Sequence, residues 1–218
     1  MKYRMILLAL LISLSSYATT LKEMYDNALA VGIYDKEIVL NCGEIYTGSL
    51  LIGGLFNRTT ATFTDTLGAN VHIIGNGAVL DLGGGFISIQ YTDKRLDIAD
   101  CVIINGGVKF LGSSLSPNFQ PQGSVTFVTF YKPEDYGVRI HSAGAGITIE
   151  NNIFVDAYST GDDFVSFTSA SLEWLSTGYS VAFSIFTETY GSPQISNNWS
   201  YFNDYRLNED PLRHYACF

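Results

Sequence analysis

The chain has 218 residues, with 21 acidic against 12 basic side chains, a formal charge of −9, and 47% hydrophobic and 14% aromatic residues. So acidic a chain, without a cluster of Lys and Arg, is a poor ligand for nucleic acid, whose binding rests largely on neutralised phosphates. It also repels an acidic polysaccharide at long range, so a partner of that kind needs a local cationic patch.

At the start, Lys2 and Arg4 precede an apolar run from Met5 to Ile12, and Ser16-Tyr17-Ala18 sets small residues where signal peptidase reads. This layout predicts a secretory signal over residues 1–18. The run is shorter than the roughly 20 residues a bilayer span needs, and no later run is apolar enough to be one. After cleavage no stable membrane span is expected, and the remaining chain of about 200 residues suits one domain. The product is expected to be secreted, periplasmic or at the cell surface, as a monomer.

Thr20-Leu21-Lys22-Glu23 reads as a capping box. Leu21, Met24, Tyr25, Ala28 and Leu29 share one helical stripe, and Gly32 can end the helix in a left-handed conformation. A capping helix is therefore predicted over 19–34.

Beyond it, Tyr, Phe, Ile, Val, Thr and Gly are plentiful and short β-runs are broken by Gly, Asn and Asp. The runs repeat. Val71-His72-Ile73-Ile74 leads through Gly75-Asn76-Gly77 to Ala78-Val79-Leu80-Asp81 and then Phe86-Ile87-Ser88-Ile89. Further units start at Leu96, Val125 and Ile147, separated by 25, 29 and 22 residues, and the last closes with Phe164-Val165-Ser166-Phe167. Such spacing is that of a solenoid. No unit holds a helix that could cross over between parallel strands, so a doubly wound α/β fold is unsuited. In a coil each strand pairs with its equivalent in the next turn, and alternate side chains fill a narrow interior. The helix from Leu21 is placed to cover the open edge at the first coil.

Three cysteines, Cys42, Cys101 and Cys217, are too far apart for a zinc pattern, and an odd number cannot all pair within the chain. Cys101, in an apolar run, reads as a buried small residue; a Cys42–Cys101 bridge is the alternative. Asn57-Arg58-Thr59 and Asn198-Trp199-Ser200 fit the glycosylation pattern.

Ile38-Val39-Leu40 with Gly43, Tyr46-Thr47-Gly48 and Leu50-Leu51-Ile52 resembles the first coil of pectin-lyase-like β-helix proteins. Ile73 to Asp81 is similar to their second coil, and Ile147-Thr148-Ile149-Glu150-Asn151-Asn152-Ile153-Phe154 to their common coil pattern, with turn asparagines after the first strand. The resemblance implies a right-handed parallel β-helix of about five to six coils over 35–218, short or truncated at its far end. Residues 169–178 read as an excursion from the stack. It implies little about activity, because these coils carry lyases, hydrolases, epimerases and inert adhesins alike.

Superposed coils place Ser88, Lys109, Arg139 and Ser166 in one outward column, with neighbours about 4.8 Å apart. His141 points to the same face as Arg139. Eliminative cleavage of a uronan removes a proton beside a carboxylate, so a cation must hold that carboxylate and a base must take the proton. By resemblance to pectate lyases, Arg139 or Lys109 would be the base or carboxylate anchor, and His141 and Tyr158 would bind substrate. Asp162, Asp163 and Asp156 would hold Ca²⁺, a cation that takes oxygen ligands. Gly161-Asp162-Asp163 also resembles the aspartate pair of polygalacturonases, but their Asn-Thr-Asp, His-Gly and Arg-Ile-Lys motifs do not follow in order. Asp81, Asn105, Glu134 and Asp156 form a second column, where turn residues bonding to backbone are expected for Asp81 and Asn105. Tyr131, Tyr136, Tyr158 and Trp174 are candidates for sugar stacking. Two functions stay open: a protein acting on an acidic extracellular polysaccharide as a lyase, and a non-catalytic carbohydrate-binding or surface module.

Overall fold

The computed structural model describes residues 18–57, 62–113, 119–133, 136–141, 143, 145–155, 185–188 and 194–201. Residues 1–17 of the expected signal lie outside these. So do Glu134, Asp156, Tyr158, Asp162, Asp163, Ser166, Trp174 and Cys217.

The described chain is mostly β, with one short helix. Helix α1 (Leu21–Asn27) starts as its sequence dictates. The Thr20 side chain accepts from the Glu23 N–H at 3.1 Å, and Glu23 Oε2 accepts from the Thr20 N–H at 2.9 Å. Leu21 is fully buried, with Met24, Tyr25 and Ala28 packed beside it against the core. The helix ends sooner than predicted, at an extended Ala28. Leu29–Val31 forms strand β1, antiparallel to β2 (Tyr34–Val39), with Val31 opposite Tyr34. Gly32 uses its positive φ of 60° in the hairpin turn rather than in a helix cap. Lys36, on β2, donates to the carbonyls of Asp26 and Ala28, supplying the cation that the last helical turn lacks.

The remaining strands are β3 (Ile45–Thr47), β4 (Leu50–Asn57), β5 (Thr62–Leu67), β6 (Val71–Asp81), β7 (Phe86–Gln90), β8 (Arg95–Ile104), β9 (Gly107–Leu111), β10 (Gln122–Tyr131), β11 (Val138–His141), β12 (Ile147–Glu150), β13 (Ile153–Val155), β14 (Ile185–Glu188), β15 (Gln194–Ser196) and β16 (Trp199–Tyr201). They form two sheets. The larger runs β1-β2-β6-β8-β10-β12-β15, with β3 on β6 and β13 between β10 and β16; the smaller runs β14-β11-β9-β7-β4-β5. All pairings are parallel except β1 with β2 and β4 with β5. From β6 to β11 the chain alternates strand by strand between the sheets.

Partners on neighbouring strands lie 25, 27 and 24 residues apart from β6 to β12, close to the repeat expected from sequence. The step from Asn152 to Asn198 is 46 residues. The strand above β11 is Ile185–Glu188, not the expected Phe164–Phe167, which lies outside the described residues. The longer step carries the chain past that segment.

Inward side chains of both sheets form one core: Ile73, Leu80, Ile98, Ile103, Val125, Phe130, Ile149 and Phe154 from the larger, Ile52, Ile87, Ile89, Phe110 and Ile140 from the smaller. Phe130 and Phe154 stack with centroids 4.9 Å apart, one strand above the other. Cys101 is a free, buried thiol between Ala78 and Val128, so it is not the partner of Cys42, which is disulfide-bonded. No helix among the described residues is long and apolar enough to cross a membrane.

Candidate functional site

The outward positions of the smaller sheet alternate with its buried ones. In β7 they are Phe86, Ser88 and Gln90; in β9, Lys109 and Leu111; in β11, Arg139 and His141. Register places Ser88 beside Lys109 and Lys109 beside Arg139, as the repeat predicted, with Phe186 in place of the expected Ser166. His141 lies two residues along on the same face, level with Leu111 and Glu188. The Lys109 ammonium sits over the Phe86 ring, 3.1 Å from its centroid, a cation–π contact that directs it along the row. Arg139 Nε and His141 Nδ1 are sealed from solvent.

The face thus gathers two cations and an imidazole on adjacent strands, a carboxylate-binding composition. The other half of the expected site, Asp156, Tyr158, Asp162 and Asp163, lies outside the described residues. Among those described, no three His, Cys, Asp or Glu side chains are grouped to hold a metal ion. The second expected column is one residue out of register, since Asp81 pairs with Ile104. Asp81 accepts from the Gly83 N–H at 3.1 Å and from Asn105 Nδ2 at 3.0 Å, as turn residues do.

The larger sheet carries a polar cluster that the sequence reading missed. Glu37, His72, Asp97 and Ser124 occupy one column across β2, β6, β8 and β10. Asp97 is only 5% exposed. It accepts from the Arg95 guanidinium through both oxygens, from Ser124 Oγ at 2.6 Å and from the Tyr34 hydroxyl at 2.9 Å. Its carboxylate raises the Arg95 pKa. Tyr34 is raised as well, first by burial and then by donating to that carboxylate. Tyr34 stacks on His72 at 4.7 Å, and His72 Nδ1 lies 3.4 Å from Glu37. Every acceptor position of Asp97 is engaged, so the cluster pins strands together and leaves no carboxylate for chemistry. Superposing Glu37, His72 and Asp97 in the repeat would have found it.

A third polar feature lies inside the turn after the first half of β10. Asn152, fully buried, accepts from the Val128 N–H at 2.9 Å and donates to Val125 O and Asn198 Oδ1 at 2.9 and 2.8 Å. Asn198 donates onward to Ile149 O at 2.9 Å. Its amide is thus occupied and its side chain only 3% exposed, which removes Asn198 as a glycan acceptor in the folded chain.

Comparison with protein-family models, with curated proteins and with solved structures finds no match for this chain.

Proposed function

We propose that the chain is an exported right-handed parallel β-helix that engages an acidic extracellular polysaccharide across the outer face of its smaller sheet. Two features favour the coil reading: the chain alternates between two parallel sheets, and the steps between paired strands are 25, 27 and 24 residues. The pectin-lyase-like resemblance of Ile38 to Ile52, Ile73 to Asp81 and Ile147 to Phe154 points the same way.

The observation that carries the polysaccharide reading is the register pair Lys109–Arg139, with His141 on the same face. A chain of net charge −9 concentrates two cations there, as capture of a uronate carboxylate requires. Arg139 and His141, two residues apart on one strand, also favour the further reading that a bound uronan is cleaved by elimination. Arg139 would then hold the carboxylate or take the proton beside it. Calcium would be supplied by Asp156, Asp162 and Asp163, and no step is assigned to it here.

The test is incubation with polygalacturonate and with alginate, with and without calcium, following ultraviolet absorbance of the unsaturated product and retention of the protein on each glycan. Retention lost in Arg139→Ala and Lys109→Ala supports the binding face. Product formation lost in the same variants supports the lyase. No retention on any uronan rejects the proposal, and retention without product leaves a binding module.

A further inference from the structure

Five turns on the larger sheet hold a residue in the left-handed region: Asn76, Asp100, Phe127, Asn151 and Asn197, with φ between 49° and 58°. Register aligns the last four in one row. Thr126 and Val128 pair with Ala99 and Cys101, which sets Phe127 beside Asp100. Thr126 and Thr129 pair with Glu150 and Ile153, which sets it beside Asn151. Asn and Asp visit this conformation readily, whereas a bulky aromatic residue there is an outlier held only when its surroundings insist.

Phe127 is also 64% exposed, the only exposed aromatic ring among the described residues. Both backbone strain and exposure would be relieved by the Asn that fills the equivalent turns. The fold gains nothing from Phe at this place, since the inward neighbours Val125 and Val128 fill the core. On either side, about 4.8 Å away along the row, Asp100 is exposed and Asn151 half-buried. An apolar ring face between a carboxylate and a carboxamide matches a sugar, with its C–H face between hydroxyl groups.

We propose that Phe127 is a stacking platform for a pyranose ring, with Asp100 and Asn151 hydrogen-bonding the hydroxyls of the same glycan. This rests on the polysaccharide reading above but uses a different sheet and a different force. Stacking does not depend on salt, whereas attraction to Lys109 and Arg139 is screened by it.

The experiment is affinity electrophoresis of the whole protein in gels containing polygalacturonate, at low and high salt, for wild type, Phe127→Asn, Phe127→Tyr and Arg139→Ala. Phe127→Asn should weaken retardation about tenfold or more at both salt concentrations, with Tm unchanged or raised by about 2–4 °C. Phe127→Tyr, which keeps the ring, should bind within about twofold of wild type on the same scale. Arg139→Ala should weaken binding mainly at low salt. Retardation of Phe127→Asn equal to wild type, or equal losses in the Asn and Tyr variants, overturns the platform while leaving the charged face standing. A wild type that no glycan retards overturns both.

Discussion

Asp97 shows what one residue contributes when four donors converge on it. Its partners are Arg95, Tyr34 and Ser124, from the same strand, from 63 residues before and from 27 residues after. Asp97→Ala would leave those donors facing a site with no acceptor. The expected loss is about 2–3 kcal/mol in denaturant unfolding, larger than for Arg139→Ala on the open face. Sequence placed Asp97 in a strand and said nothing of its partners, because contacts across 63 residues depend on register. At Cys101 the sequence reading held: burial pushes the thiol up to about 12. A thiol reagent should leave Cys101 unmodified in the native protein and label it only after unfolding.

At the scale of elements, the start of α1 was legible and its end was not. Thr20 and Glu23 satisfy each other locally, whereas Leu29 leaves the helical stripe to begin a hairpin and is 77% exposed. Its pairing with Glu37 on β2 outcompetes the last helical turn. Thr20 holds the Glu23 carboxyl below its usual 4.5, first through the backbone N–H and then through the hydroxyl. A folded-state pKa below the unfolded one gives stability that is present above about 4.5 and lost as pH falls through the folded value. The Tm advantage of wild type over Glu23→Gln should therefore shrink on acidification below that point. The asparagine turn makes a separate prediction. Asn152→Ala removes the acceptor for Val128 N–H and the donor to Val125 O, both buried, and should cost at least about 2 kcal/mol by denaturant titration.

For the whole molecule, parallel register is kept by coil length and close approach. Gly123 lies against the backbone of Leu96, so a Cβ there would run into the Leu96 carbonyl. Export belongs to this scale too: N-terminal sequencing of protein released from its host should begin at Thr19, and a product beginning at Met1 would reject the signal. Three properties followed from the sequence by itself: strand content, a repeat near 25 residues and the helix start. Each depends on side chains a few positions apart. Only the tertiary structure decided which strand follows β11, which polar residues meet at Asp97, and that Phe127 falls in a row of asparagines and an aspartate. Those facts depend on how many residues each turn of the chain spends before returning to the sheet. A single longer step, such as the 46 residues to Asn198, moves every later residue to a new neighbour.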